Sequence, residues 1–182
     1  MIQQIADVFA RLRGWSRDIR GVSAIEFALI LPVMITFYFG SVEITQLLTI
    51  DRKVTKAASS IADLVAQSTA LNTGEINDLF QISTSLLQPF NAAGLQVVLT
   101  SVVADVNNNT TVEWSDALNA APRTVGATVT LPQGLTDPNT SVIMVEVAYT
   151  YTSVIGEFVT GGVTMNDTFY LMPRDTDKVQ RL

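Results

Sequence analysis

A chain of 182 residues with a formal charge of −6, no cysteine and no histidine has room for one ordinary domain plus an anchor, not for two full domains. The missing residue types exclude a thiol nucleophile, a disulfide framework, an imidazole base and a Cys/His zinc site. The acidic balance excludes a nucleic-acid surface, which concentrates Lys and Arg against phosphates.

The charge is unevenly placed. Residues 1–21 carry Arg11, Arg13, Arg17 and Arg20 against Asp7 and Asp18, and they read as a basic leader on the cytoplasmic side. From Phe27 to Val42 there is no charged residue, and apolar positions continue past Glu43 through Ile44, Leu47, Leu48 and Ile50. A helix of about 20 residues crosses a bilayer core, so residues 22–50 are expected to span the membrane once and to contact its lipid. The run is too long for the apolar region of a secretory signal, which favours a retained anchor. Arg52, Lys53 and Lys56 place basic charge on the far flank and pull against that orientation. Pro32 is tolerable in a membrane helix, where neighbours and local geometry compensate for the lost backbone donor.

Glu26 is the costly residue of this segment. An ionisable group near the start of a membrane span calls for a partner, unless it sits among the headgroups at a helix N-terminus. Glu43 has the same two readings at the far boundary: an interfacial carboxylate, or a contact with another subunit.

Beyond the span the helix is expected to continue to about Gln67. Val54, Ala57, Ala58, Ile61, Leu64 and Val65 recur at steps of three and four and form one apolar stripe, so residues 51–70 read as a helical extension. Residues 71–182 then form the outer domain. Asn72 or Thr73 can cap a second helix, with Glu75 and Asp78 in its first turn and Pro89 near its end. Its apolar face is Ile76, Leu79, Phe80, Leu86, Leu87 and Phe90, which reads as core. Strand-forming residues then predominate, and the candidate strands are Leu95 to Val106, Thr111 to Ser115, Ser141 to Ser153 and Val163 to Leu171. Residues 117–140, broken by Pro122, Pro132 and Pro138, read as a long loop. Helices followed by strands predict an α+β fold: a long N-terminal helix, a short second helix and a small antiparallel sheet.

The remaining chemistry is sparse. Asp105, Asn107, Asn109, Thr111, Glu113 and Asp116 have the spacing of a calcium loop, but Thr110 stands where the sharp turn needs glycine and Asp116 where a bidentate Glu is usual. A polar turn between two strands is the favoured reading. Trp114, Tyr149 and Tyr151 read as core aromatics, not as a stacking surface. Serine and threonine have no base beside them, so no enzyme, no metal site and no cofactor is expected.

The segment Arg20-Gly21-Val22-Ser23-Ala24-Ile25-Glu26-Phe27 resembles the processing site of type IV pilins. In that family a prepilin peptidase cuts after a glycine that follows basic residues, and a glutamate stands fifth in the mature chain. The resemblance makes Gly21 and Val22 the cleavage site and Glu26 that glutamate. Cutting creates an ammonium group at Val22 that the carboxylate of a neighbouring subunit can neutralise. The Glu26-Phe27 step, Leu31-Pro32, and Phe39, Gly40 and Glu43 resemble the opening of TadE-like minor pseudopilins of the tight-adherence (Tad) pilus system. Val129 to Pro132, Glu146 to Tyr151 and Pro173-Arg174 follow the order of features in that family, although Thr152 and Ser153 stand where a proline is expected. The resemblance implies a non-enzymatic subunit of the bacterial inner membrane, with its C-terminal domain in the periplasm, in or at the base of the pilus. Its partners would be the peptidase, other pilus subunits and the inner-membrane assembly platform, with Glu26, Phe27 and Glu43 as assembly residues. The alternative is an uncleaved single-pass membrane protein whose periplasmic domain binds an envelope protein or ligand.

Overall fold

The computed structural model describes residues 21–153 and 162–182. The basic leader thus lies outside the described residues except for Gly21. The chain is α+β, with elements in the order α1 (Val22–Ala66), β1 (Ala70–Leu71), α2 (Thr73–Leu86), a 3-10 turn (Ala92–Gly94), β2 (Leu95–Ala104), β3 (Thr110–Leu118), β4 (Ser141–Tyr151), β5 (Val163–Leu171) and β6 (Gln180–Arg181). Two compact units divide it between Thr45 and Gln46.

The first unit is the membrane-type part of α1. Every residue from Gly21 to Ser41 is exposed, including Leu29 at 71% and Phe37 at 76%. Polar donors along this stretch are turned back on the helix. Thr36 Oγ1 donates to the Pro32 carbonyl, Ser41 Oγ to that of Tyr38 and Thr45 Oγ1 to that of Ser41, each at 2.8 Å. Hydrocarbon offers no hydrogen-bond partner, so this inward satisfaction suits a lipid environment.

In the second unit the same helix becomes core. Ile50, Val54, Ala58, Ile61, Ala62 and Val65 are all at most 1% exposed. They share a cluster with Ile76, Leu79, Phe80 and Leu87 from the α2 region and with Leu95, Val97, Leu99, Ile143, Val145, Val147, Tyr149 and Tyr151 from the sheet. Ala57, Ala58, Ala62 and Ala66 lie fully buried, and their small side chains permit close packing on this face. The expected stripe needs one correction. Leu64 is 39% exposed, because it stands three residues from Ile61, on the side of the stripe away from Ala58 and Ala62. Ala62 takes the buried place instead. The helix ends at Ala66, near the expected Gln67, so the tail of the 51–70 extension is turn and strand. Its last carbonyl accepts from the Arg174 N–H at 2.8 Å.

Helix α2 begins with a capping box. Asn72 Oδ1 accepts from the Glu75 N–H at 3.1 Å and Glu75 Oε2 accepts from the Asn72 N–H at 2.8 Å. Its predicted face is buried at Ile76, Leu79, Phe80 and Leu87, whereas Leu86 and Phe90 are half-buried. Ser83 joins the buried set because its hydroxyl donates to the Phe80 carbonyl at 2.6 Å. The 3-10 turn then packs hard on the sheet. A Cβ at Gly94 would stand 2.7 Å from the Thr150 carbonyl oxygen, so only glycine fits.

The four-stranded sheet has the order β3-β2-β4-β5 and is antiparallel throughout. Strand β2 stops at Ala104, short of the expected Val106, because Asp105 turns the chain. Strand β3 is longer than expected and contains a bulge: Trp114 pairs with Ser101 and Val112 with Val102, leaving Glu113 as the extra residue. Strand β4 ends at Tyr151, before Thr152 and Ser153, and β5 has the expected bounds. The predicted core aromatics are buried, with their polar atoms bonded. Trp114 Nε1 donates to the Val179 carbonyl at 2.8 Å, the Tyr149 hydroxyl to the Asn91 carbonyl at 2.9 Å and the Tyr151 hydroxyl to Gln46 Oε1 at 2.7 Å. The long loop folds back on the other sheet face, where Val129 joins Val102, Val112 and Met144.

Because Ile61 is fully buried and Leu64 exposed, Ile61→Ala should cost about 2–5 kcal/mol and Leu64→Ala less than about 1 kcal/mol. Denaturant unfolding of the two variants measures the difference.

Candidate functional site

The candidate site is linear, because its residues lie along one helix and are not gathered in a cavity. Gly21 precedes α1, and a side chain added there would meet nothing within 4 Å. Val22 is the first helical residue. Glu26 stands in the second turn, exposed, beside Phe27, which is 58% exposed. Glu43 is half-buried. The two glutamates are separated by about 26 Å of rise and by roughly 100° around the axis, so they cannot act as a carboxylate pair. Glu26 shares its face with Ile30, Val33 and Phe37. Glu43 lies at i−4, i−7 and i−11 from Leu47, Ile50 and Val54 and so heads the stripe that continues into the core.

Several contacts that organise the domain around α1 were not visible in the sequence. Lys53 Nζ donates to the carbonyls of Leu86 and Gln88 at 3.2 and 2.8 Å, placing a cation against the orphan carbonyls at the end of α2. Arg174 pairs with Asp63 through its guanidinium while its backbone N–H meets Ala66. Arg181 bonds Asp116, the Leu71 carbonyl and the Thr73 hydroxyl. Partners more than 30 residues apart carry no periodic signal; only the Pro173-Arg174 step marked one of them.

The Asp105 loop is built as a polar turn. Asp105 Oδ1 accepts from the Asn107 and Asn109 N–H groups, both at 2.8 Å, and Oδ2 accepts from Asn109 Nδ2 at 2.9 Å. Asn108 adopts a φ of 60°, which asparagine tolerates. Bonds from Asn109, above all its side chain, hold the Asp105 carboxyl below the ordinary value of 3.8. The carboxylate is thus consumed in shaping the turn. Among the described residues no group of three or more acidic, His or Cys side chains is placed to hold a metal. Elsewhere, Arg123 clamps Glu146 with two bonds of 2.9 and 2.8 Å, fastening the long loop across the sheet.

These features define a class: a single-pass, membrane-anchored protein with a small α+β domain. Among the described residues one helix is long and apolar enough to span, with a mean hydropathy of 2.0 over an 18-residue window, none of which is buried. Residues 21–63 match the model of the family described as TadE-like protein. Over that segment the chain is similar to TadE-like proteins. The match begins at Gly21 and ends at Asp63, the partner of Arg174. No curated protein and no solved structure matches the chain.

A carboxyl whose folded pKa is depressed stabilises the fold above its ordinary pKa and loses that contribution as pH falls through the folded value. An NMR titration of Asp105 should therefore give a midpoint below 3.8, with the Asn107 and Asn109 amide signals moving at the same midpoint.

Proposed function

We propose that the chain is a minor pseudopilin of a Tad-type pilus, needed for pilus assembly and adhesion. In this reading a prepilin peptidase cuts after Gly21. Helix α1 then holds the subunit in the bacterial inner membrane, with its N-terminal side cytoplasmic and residues 71–182 in the periplasm. Other pilus subunits and the assembly platform are its partners.

The observation that carries the reading is the position of the family match, which starts at the expected cleavage glycine and covers the span with Glu26 in it. The physical reason is charge. Cleavage turns the Val22 nitrogen into an ammonium group at the membrane boundary, and Glu26, exposed on its helix, is free to meet the same group on a neighbouring subunit. Each charge is costly in an apolar setting unless the other is present. Phe27 and the apolar residues around it supply the packing surface, and Glu43 is assigned a second subunit contact at the outer boundary. Of the three basic residues that pull against the orientation, Lys53 is committed to the carbonyls of Leu86 and Gln88, whereas Arg52 and Lys56 stay exposed.

N-terminal sequencing of the protein extracted from membranes should read Val-Ser-Ala-Ile-Glu from Val22. Replacing Gly21 with leucine should leave a larger species that keeps the leader. A wild-type mature chain that begins at Met1 would contradict the reading.

A further inference from the structure

The two edges of the sheet are treated differently by the fold. Along the first half of β3 the outward backbone groups are occupied. The Val112 N–H donates to the Ala127 carbonyl at 3.0 Å, the Gly126 N–H to the Val112 carbonyl at 2.8 Å and the Val129 N–H to the Thr110 carbonyl at 3.0 Å. Past the bulge at Glu113, Ser115 and Ala117 turn their backbone groups outward, beside the side-chain ion pairs of Glu113 with Lys178 and Asp116 with Arg181.

Among the described residues the β5 edge is open, and the register says which groups face out. Ala104 donates to the Thr140 carbonyl at 2.9 Å, which continues the β2–β4 ladder and fixes its parity. Even-numbered residues of β4 turn their backbone groups to β2, and odd-numbered ones turn theirs to β5. The pairs Val145 with Phe169, Val147 with Asp167 and Tyr149 with Met165 are therefore the bonded ones. Thr164, Asn166, Thr168 and Tyr170 direct their N–H and C=O groups away from the sheet. The Thr168 N–H meets the Asp167 carboxylate at 2.9 Å, in agreement with that direction. Among the described residues nothing else meets these outward groups.

Long open edges are normally blunted by proline, charged side chains or a bulge; Val163–Leu171 has no proline and no bulge, and its one charge is Asp167, which deters pairing with any strand that offers it no cation. Apolar surface also reaches solvent here. Met165, Phe169 and Leu171 are only half-buried, whereas their β4 partners Tyr149, Val145 and Ile143 are buried. An added strand would satisfy the backbone and cover these side chains together.

We propose that β5 is a docking edge for an extended segment of a different polypeptide, which adds antiparallel as a fifth strand and sets a basic residue opposite Asp167. The charge selects this occupant over a second copy. In a fully overlapped antiparallel β5–β5 pair, Asn166 would bond Thr168 of the other copy, and Thr164 would bond Tyr170. Asp167 would then fall on the two-fold axis, facing its own counterpart in a non-bonded pair with Cα atoms about 4.5 Å apart. Like charges directly opposite are destabilising, and sliding the strands forfeits the outer pairs. A cation at that position reverses the sign.

The test uses the full chain in detergent micelles, with isotope-labelled wild type mixed with unlabelled Asp167→Lys. Each protein alone repels itself at position 167, whereas the mixture places lysine opposite aspartate. Amide exchange at Asn166, Thr168 and Tyr170 of the labelled chain should slow about tenfold or more in the mixture alone. The slowing should vanish when the unlabelled chain also carries Asn166→Pro, which removes an outward donor and leaves the bonds to β4 intact. No slowing in the mixture, or slowing that survives Asn166→Pro, would overturn the proposal. Protection of the same amides in wild type alone would also overturn it, because the occupant would then be a second copy.

Discussion

One helix serves two solvents, and the rest of the structure depends on where it changes between them. Up to Ser41 the side chains of α1 are exposed and overwhelmingly apolar, a surface that water would not tolerate but hydrocarbon does. From Ile50 onward one stripe is buried to 1% or less while polar residues such as Asp51, Arg52 and Lys56 stay out. The stripe contributes six residues to the main core cluster. At roughly 25 cal/mol per Å² of apolar surface, no other single element is so placed to hold α2 and the sheet together.

The C-terminal tail completes what the helix begins. Arg174 covers the last carbonyl of α1, and the Gln180 and Leu182 N–H groups bond the Thr69 and Leu71 carbonyls, each within 3.0 Å. Val179 is fully buried, and its carbonyl receives the Trp114 indole. Individually the exposed ion pairs of this region are weak. Together with the backbone bonds they fix the start of α2 against β3, so residues more than 100 positions apart in sequence close one structure.

Much of this was legible because local physics and tertiary structure agreed. The apolar run, the three-and-four stripe, the Asn72 cap with Glu75 and the alternation of Ile143, Val145, Val147, Tyr149 and Tyr151 all signal their own periods. Leu64 was misplaced because a helical stripe has soft margins, and only the packed partner decides which margin is covered. The strand ends at Ala104 and Tyr151 were set by turn chemistry and by pairing. Lys53, Arg174 and Arg181 were illegible as structural residues, since each acts through a partner far away in sequence. For the candidate site, the spacing of Gly21, Val22, Glu26 and Phe27 was readable at once. On the proposed function, what those residues meet belongs to an assembly, which no spacing within one chain encodes.

Helix α1 is shielded by lipid in its first part and by its own domain in its second. The absence of cysteine permits a direct measurement: single cysteines at Ile30, Ile61 and Gln81 in vesicle-reconstituted protein, probed with a water-soluble maleimide as urea is raised. Gln81→Cys should react throughout, Ile61→Cys only once the domain unfolds, and Ile30→Cys should stay protected after that transition. Ile30→Cys and Ile61→Cys becoming reactive together would contradict the account.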